Sequence, residues 1–253
     1  MDNPTLQETL DLLGAHTPEE LVALLRDPDD ETAGRACWAL GHLGDEPHSE
    51  EVLELLESDR PGLWMQSAAT LSMLESKYAT QRLIALVRDG AAPPAQRTAA
   101  AYALAFAGDV HADPHHAEPI RQAFTDLLGD AGEPPALRAQ AAEGLANMLG
   151  GCGSDPARDE QAARDEAGRL LQAALADADP EVRFWSAFAL GSLAYAPALP
   201  ALRELAARDR AHLDGWWTVG EEASDAVDRI EGREPPERIG RPAAEEPRAR
   251  ENC

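Results

Sequence analysis

Lysine occurs once in this 253-residue chain, at Lys77, and aromatic residues make up only 5% of it. Cysteine is almost as scarce. Cys37, Cys152 and Cys253 are odd in number, far apart and without a CxxC pair, which excludes a disulfide framework and a zinc knuckle. No run approaches the ~18 consecutive apolar residues of a membrane span, and the opening MDNPTLQETL lacks the basic-then-apolar order of a signal peptide. Only 22 basic residues stand against 46 acidic ones, a net charge of −24. That field repels a phosphate backbone and an anionic lipid surface alike. The expectation is a cytoplasmic protein that binds neither nucleic acid nor membrane.

Apolar residues, mostly Ala and Leu, make up 44% of the chain, enough for a sizeable core of close-packed helices. Nineteen prolines and nineteen glycines divide those helices into short pieces. The pieces repeat. AGRACWALGHLGD (33–45), QRTAAAYALAFAGD (96–109) and VRFWSAFALGSLA (182–194) share small residues at helical spacing followed by Ala-Leu-small. LWMQSAATLSML (63–74), LRAQAAEGLANML (137–149) and VGEEASDAVDRI (219–230) are weaker copies. The Leu of the triplet marks each copy: Leu40, Leu71, Leu104, Leu145, Leu190 and, diverged, Val227.

A second amphipathic segment precedes every copy, as in EELVALLRD, EEVLELLES and QRLIALVRD. Between the two lies an acidic or proline-containing turn such as DPDDE, DRPG or DADPE, which supplies helix-start signals. The unit is helix, turn, helix. One such pair cannot bury both faces, so about six must stack as an all-α solenoid.

The stretches DADPEVRFWSAFALGSL and DPDDETAGRACWALGHLGD resemble the HEAT-repeat superfamily, in particular the short bacterial repeats named after phycobilisome lyases. The resemblance implies a right-handed superhelix of HEAT-like repeats over 17–231. Residues 1–16 are expected as an N-terminal capping helix and 232–253 as a disordered acidic, Arg/Pro-rich tail. The arginine expected soon after the turn is present at Arg97, Arg138 and Arg183. It is missing at Ala33, Trp64 and Gly220, where the contact between repeats must be made otherwise.

At ~100° per residue, Val182, Ser186, Ala189, Leu190 and Leu193 point to the core of the fifth pair. Phe184 and Phe188 fall on the opposite side, and Trp185 on the flank. Trp38 and Tyr102 match Phe188 in other copies, with His42, Met73 and Phe106 in a neighbouring row. The resemblance places second helices on a concave inner surface, and so implies a groove with Trp38, Tyr102, Phe184 and Phe188 as apolar anchors. Glu143, Glu222 and Asp225 would give it acidic margins, suited to a basic amphipathic segment of a partner protein. The opposing possibility is that curvature or an inserted loop buries these aromatics within the chain. Trp216 and Trp217 are expected to seal the exposed end of the last pair.

Enzymatic readings find less support. His111, His115, His116 and Glu118, with Asp113 between them, are metal-ligand types, but the stretch reads as a proline-containing loop without i, i+4 pairing. Cys152 has no evident base. No His-Glu dipeptide occurs, against the deoxyhypusine hydroxylases, and HEAT-like DNA glycosylases need a basic concave surface. The expectation is a monomeric, non-enzymatic interaction scaffold with no catalytic residues, metal or cofactor. The alternative is a lyase-type or chaperone-like subunit handling a tetrapyrrole, small molecule or metal.

Overall fold

The computed structural model describes residues 5–74, 76–108, 114–150, 158–238 and 240. Among them are thirteen α-helices and no β-strand. A short helix α1 (Leu6–Leu13) packs against α3 (Asp30–Leu43), and its partner in the first pair is α2 (Pro18–Leu24). The following pairs are α4 (Ser49–Leu56) with α5 (Trp64–Leu74), α6 (Lys77–Arg88) with α7 (Pro94–Ala105), and α8 (Pro114–Gly129) with α9 (Pro135–Leu149). Then come α10 (Arg158–Ala174) with α11 (Pro180–Ser192), and α12 (Leu199–Arg208) with α13 (Val219–Ile230). The chain divides into two compact units, Met1–Met148 and Leu149–Cys253. In the first, α3, α5 and α7 lie side by side in one layer, and α4, α6 and α8 neighbour one another in the other. In the second, α11 packs on α13.

The turns explain why the pairs begin where they do. An aspartate closing the first helix accepts the N–H two residues on: Asp27 from Asp29 (2.8 Å), Asp89 from Ala91 (2.9 Å), Asp130 from Gly132 (2.8 Å), Asp177 from Asp179 (2.9 Å) and Asp209 from Ala211 (2.9 Å). In the second pair Ser58 does this for Arg60 (3.4 Å). Such side-chain turns stop one helix while exposing the next residues as caps. Asp29 then caps α3 through the Thr32 N–H (2.9 Å), and Asp179 caps α11 through the Glu181 N–H (2.8 Å).

The marker residues fill the space between the layers. Leu40, Leu104, Leu145 and Leu190 are fully buried, Leu71 nearly so, and Val227 is 8% exposed. Around them the small residues Ala36, Ala39, Ala100, Ala103, Ala142, Ala187 and Ala223 are buried too. Small side chains let helix axes approach, and Gly191 shows how closely. A Cβ there would stand 2.8 Å from the Cα of Ala226 on α13.

Adjacent pairs are also joined by buried polar side chains. Arg97 donates from Nε to the Val87 carbonyl (2.8 Å) and makes a two-pronged pair with Glu133 of the next turn (2.7 and 2.7 Å). Arg183 repeats the arrangement with the Asp177 carbonyl (2.9 Å) and Asp209 (2.8 Å). Arg138 donates to the Glu133 carbonyl (3.1 Å). Where the arginine is absent, different solutions appear. The first junction runs backwards: Arg60, in the second turn, reaches back to Asp30 (2.7 Å) and the Leu25 carbonyl (3.3 Å). At Trp64 the contact comes from Gln96 of the next repeat, which donates to the Leu56 carbonyl (2.8 Å), while Trp64 itself donates to the Ser58 carbonyl (2.9 Å). At Gly220 the backbone N–H meets the Asp209 carbonyl directly (3.2 Å), and Arg210 caps α12 at the Ala207 carbonyl (2.9 Å).

Candidate interaction face

In the first unit the positions two before and two after the marker leucine form adjoining rows on the second helices. The first row is Trp38, Ala69, Tyr102 and Glu143, the second His42, Met73, Phe106 and Asn147. Trp38 and Tyr102 are half-buried, whereas Met73 (44%) and Phe106 (39%) are exposed. The rings pair within each helix, Trp38 edge-on to His42 and Tyr102 tilted against Phe106, both with centroids 4.6 Å apart. These i, i+4 contacts hold the aromatics upright on the helix surface. The Met73 thioether lies over Gly41 of α3, so Met73 bridges toward the Trp38 and His42 pair. Beside Trp38 is a depression of about 480 Å³ lined by Thr9, Asp30, Glu31, Arg35 and Gln66. Glu143 is half-buried and accepts from Gln140 (2.8 Å), and Asn147 donates to the Ala105 carbonyl (3.3 Å).

The second unit departs from expectation. Phe184 is only 1% exposed and cannot serve as a groove anchor. The segment between α12 and α13 is longer than the other turns and folds back on itself. His212 and Thr218 form an isolated bridge, the Leu213 N–H donates to the Trp217 carbonyl (3.3 Å), and Gly215 takes φ 77° at the tip. This turn lays Trp216 and Trp217 over Phe184, with centroids 5.8 and 5.9 Å away. Trp185 joins the cluster at 5.3 Å from Phe184, 5.2 Å from Trp216 and 5.6 Å from Phe188. The two tryptophans therefore roof the preceding repeat, rather than only sealing the end of the last pair. Phe188 stays half-buried, with the Arg229 guanidinium 5.5 Å above its ring. Trp216, 40% exposed, is the outermost ring of the cluster.

Two acids placed on the margin are also internal. Glu222 is fully buried and accepts from the Trp217 indole N–H (2.8 Å) and from Arg229 (2.8 Å). Burial pushes its carboxyl above the usual carboxylate range, against the opposing pull of Arg229 and Trp217. Asp225 is 2% exposed and clamps the Arg238 guanidinium through both oxygens (2.5 and 2.7 Å). The physical reason is the same for both: an arginine close enough to neutralise a carboxylate makes its burial tolerable. Residues 233–238 have no helix or strand, yet Arg238 ties them to α13. Residues 239 and 241–253 of the expected tail lie outside the described residues.

His111, Asp113 and Cys152 also lie outside the described residues. His115 and His116 open α8, and Glu118 pairs with Arg121 (2.7 Å). Among the described residues no group of three or more His, Cys, Asp or Glu side chains could hold a metal ion. No described helix is long and apolar enough to cross a membrane. Cys37 is buried beside Thr70 (3.4 Å), and burial pushes its thiol up to about 11.

Stacked helix pairs with buried markers and turn-to-turn ion pairs define an all-α helical-repeat solenoid. The HEAT repeats family model matches residues 18–105, the first three pairs. No curated protein matches the chain. Among solved structures, one engineered protein aligns with a TM-score of 0.53 at 20% identity, covering 86% of this chain and 99% of its own. Another aligns with a TM-score of 0.50 at 22% identity, covering 85% and 96%. At these identities the likeness speaks to the fold alone.

Proposed function

We propose that the chain is a non-enzymatic interaction scaffold that takes a segment of a partner protein on the second helices of its first unit. The observation that carries this reading is the double row of Trp38, Met73, Tyr102 and Phe106. The core beneath it is already filled by Leu40, Leu71 and Leu104, so packing does not call for these large side chains. Aromatic and Met side chains are the types that anchor protein interfaces. Glu143 at one end of the row, Asp30 and Glu31 at the other, and the net charge of −24 favour a partner segment that is apolar on one side and basic on the other. Phe188, with Arg229 over it, offers a separate aromatic contact in the second unit.

The test is affinity capture from the native host with wild type and Trp38→Ala/Tyr102→Ala in parallel, the captured proteins being identified by mass spectrometry. The reading expects specific captures to drop by roughly thirtyfold or more for two anchors of ordinary strength, with far-UV dichroism unchanged. Undiminished capture by a folded double variant would refute it.

A further inference from the structure

Arg238 is the last described arginine of the chain, and its setting is unusual. From Glu231 to Glu237 every residue except Pro235 is exposed, and none is in a helix or strand. Arg238 by contrast keeps only 18% of its side chain in solvent. Its guanidinium makes the two-pronged pair with the buried Asp225, and further contacts to the Glu221 carboxylate and carbonyl (3.3 and 3.3 Å). Arg233 holds the start of the segment, pairing with Asp228 (2.6 Å) while its N–H donates to the Asp228 carbonyl (2.7 Å), and Arg238 fastens its far end to α13. Gly240 follows it closely against the Gly215 carbonyl, where a Cβ would not fit.

The place that receives Arg238 matters as much as the contact. Asp225 stands two residues before the sixth marker, Val227, the repeat position held by Phe188 in the fifth copy and by Trp38 and Tyr102 in the first unit. An irregular segment, in which Glu234 and Glu237 offset Arg233 and Arg238, thus sets Arg238 across the side of a second helix that other copies furnish with half-buried aromatics. Its bond is the charge-assisted fork that lysine cannot reproduce.

We propose that Asp225 and Glu221 form an arginine-binding site, that the chain keeps it filled with its own Arg238, and that an arginine in an extended segment of a partner protein takes it over. The tail is then an intramolecular competitor. Tethered eight residues beyond α13, it is present at an effective concentration in the millimolar range, so an incoming segment must add contacts of its own. The Trp216 ring and the Phe188 face are the apolar surfaces in the same unit that could supply them. This inference is independent of the row on the first unit.

The experiment uses the full chain carrying Arg238→Ala and a fluorescein-labelled peptide of residues 233–240, REPPERIG, read by fluorescence polarisation. The variant should bind this peptide at least roughly tenfold more tightly than wild type, whose own tail competes. The same peptide carrying Arg238→Ala should lose that binding. Should the alanine variant not fold, the two peptides are read on Arg238→Lys, whose tail keeps the charge without the fork. A folded variant that binds both peptides equally, or neither, overturns the proposal and leaves Arg238 as packing alone.

Discussion

Removing the Phe184 ring separates an internal aromatic cluster from an open groove. The side chain is 1% exposed and lies within 6 Å, centroid to centroid, of Trp185, Trp216 and Trp217. Phe184→Ala leaves a cavity beneath the tryptophan turn, and buried Phe→Ala changes cost about 3–5 kcal/mol. Each lost edge-to-ring contact accounts for about 0.5–1.5 kcal/mol of that. For a unit of about 100 residues, the melting midpoint should fall on the order of 15 °C or more. Phe188→Ala removes a half-buried ring and should cost only about 1 kcal/mol. The assay is urea and thermal unfolding followed by tryptophan emission. Trp185, Trp216 and Trp217 dominate that signal for the second unit, whereas Trp38 and Trp64 report on the first. A groove-facing Phe184 would leave the midpoint where it was. If the two alanine variants melt alike, the roofing of Phe184 by the tryptophan turn is wrong.

Arg97→Ala should lower the urea midpoint by an amount equivalent to about 2–3 kcal/mol, because it leaves the Val87 carbonyl and the part-buried Glu133 without their charged donor. Arg26→Ala, at the exposed Glu54 pair, should leave it at the wild-type value. Glu222 gives a pH signature. Its folded pKa is raised, so its proton favours the native state below the ordinary glutamate range, and that contribution is lost as pH rises through the folded value. Between pH 4 and 7 the wild-type midpoint should therefore decline relative to that of Glu222→Gln. Parallel curves would show that burial does not control this carboxyl. Cys37, with its thiol pushed up to about 11, should escape iodoacetamide in the folded protein at pH 8 and react at the denaturant midpoint, as followed by peptide mass spectrometry.

The parts of this architecture legible in the sequence are those written by local periodicity. Leu40, Leu104 and Leu190 recur in the same small-residue context, and each is buried because every pair meets the same neighbour geometry. Arg97 and Arg183 were legible for a similar reason, since the acid that receives each one sits in the next turn. Phe184 was not. A helical wheel assigns faces relative to one pair's own core, and nothing in α11 announces that the turn after α12 will reach back over it. The signal was LDGWWT, an aspartate–glycine turn with two tryptophans in a connection longer than the others, set one repeat downstream. Copies with ordinary turns hold Gly34, Thr98 or Ala139 at the place of Phe184, and the second copy holds Met65, which stays 49% exposed. Glu222 and Asp225 were misplaced because acids on a wheel read as solvent-facing. Their partners, Arg229 seven residues on and Arg238 thirteen residues on, lie beyond the reach of one helical turn.

The reversed ion pair at the first junction limits how such a chain can be recombined. Arg97 and Arg183 each demand an acid in the turn that follows, whereas the second turn presents Arg60 and looks backward for Asp30. Copying the fifth repeat in front of the second would set the Arg183 and Arg60 guanidinium groups against each other at the new seam. The repeats are thus not interchangeable bricks: gene duplication can lengthen this protein only at seams where donor and acceptor still face the right way.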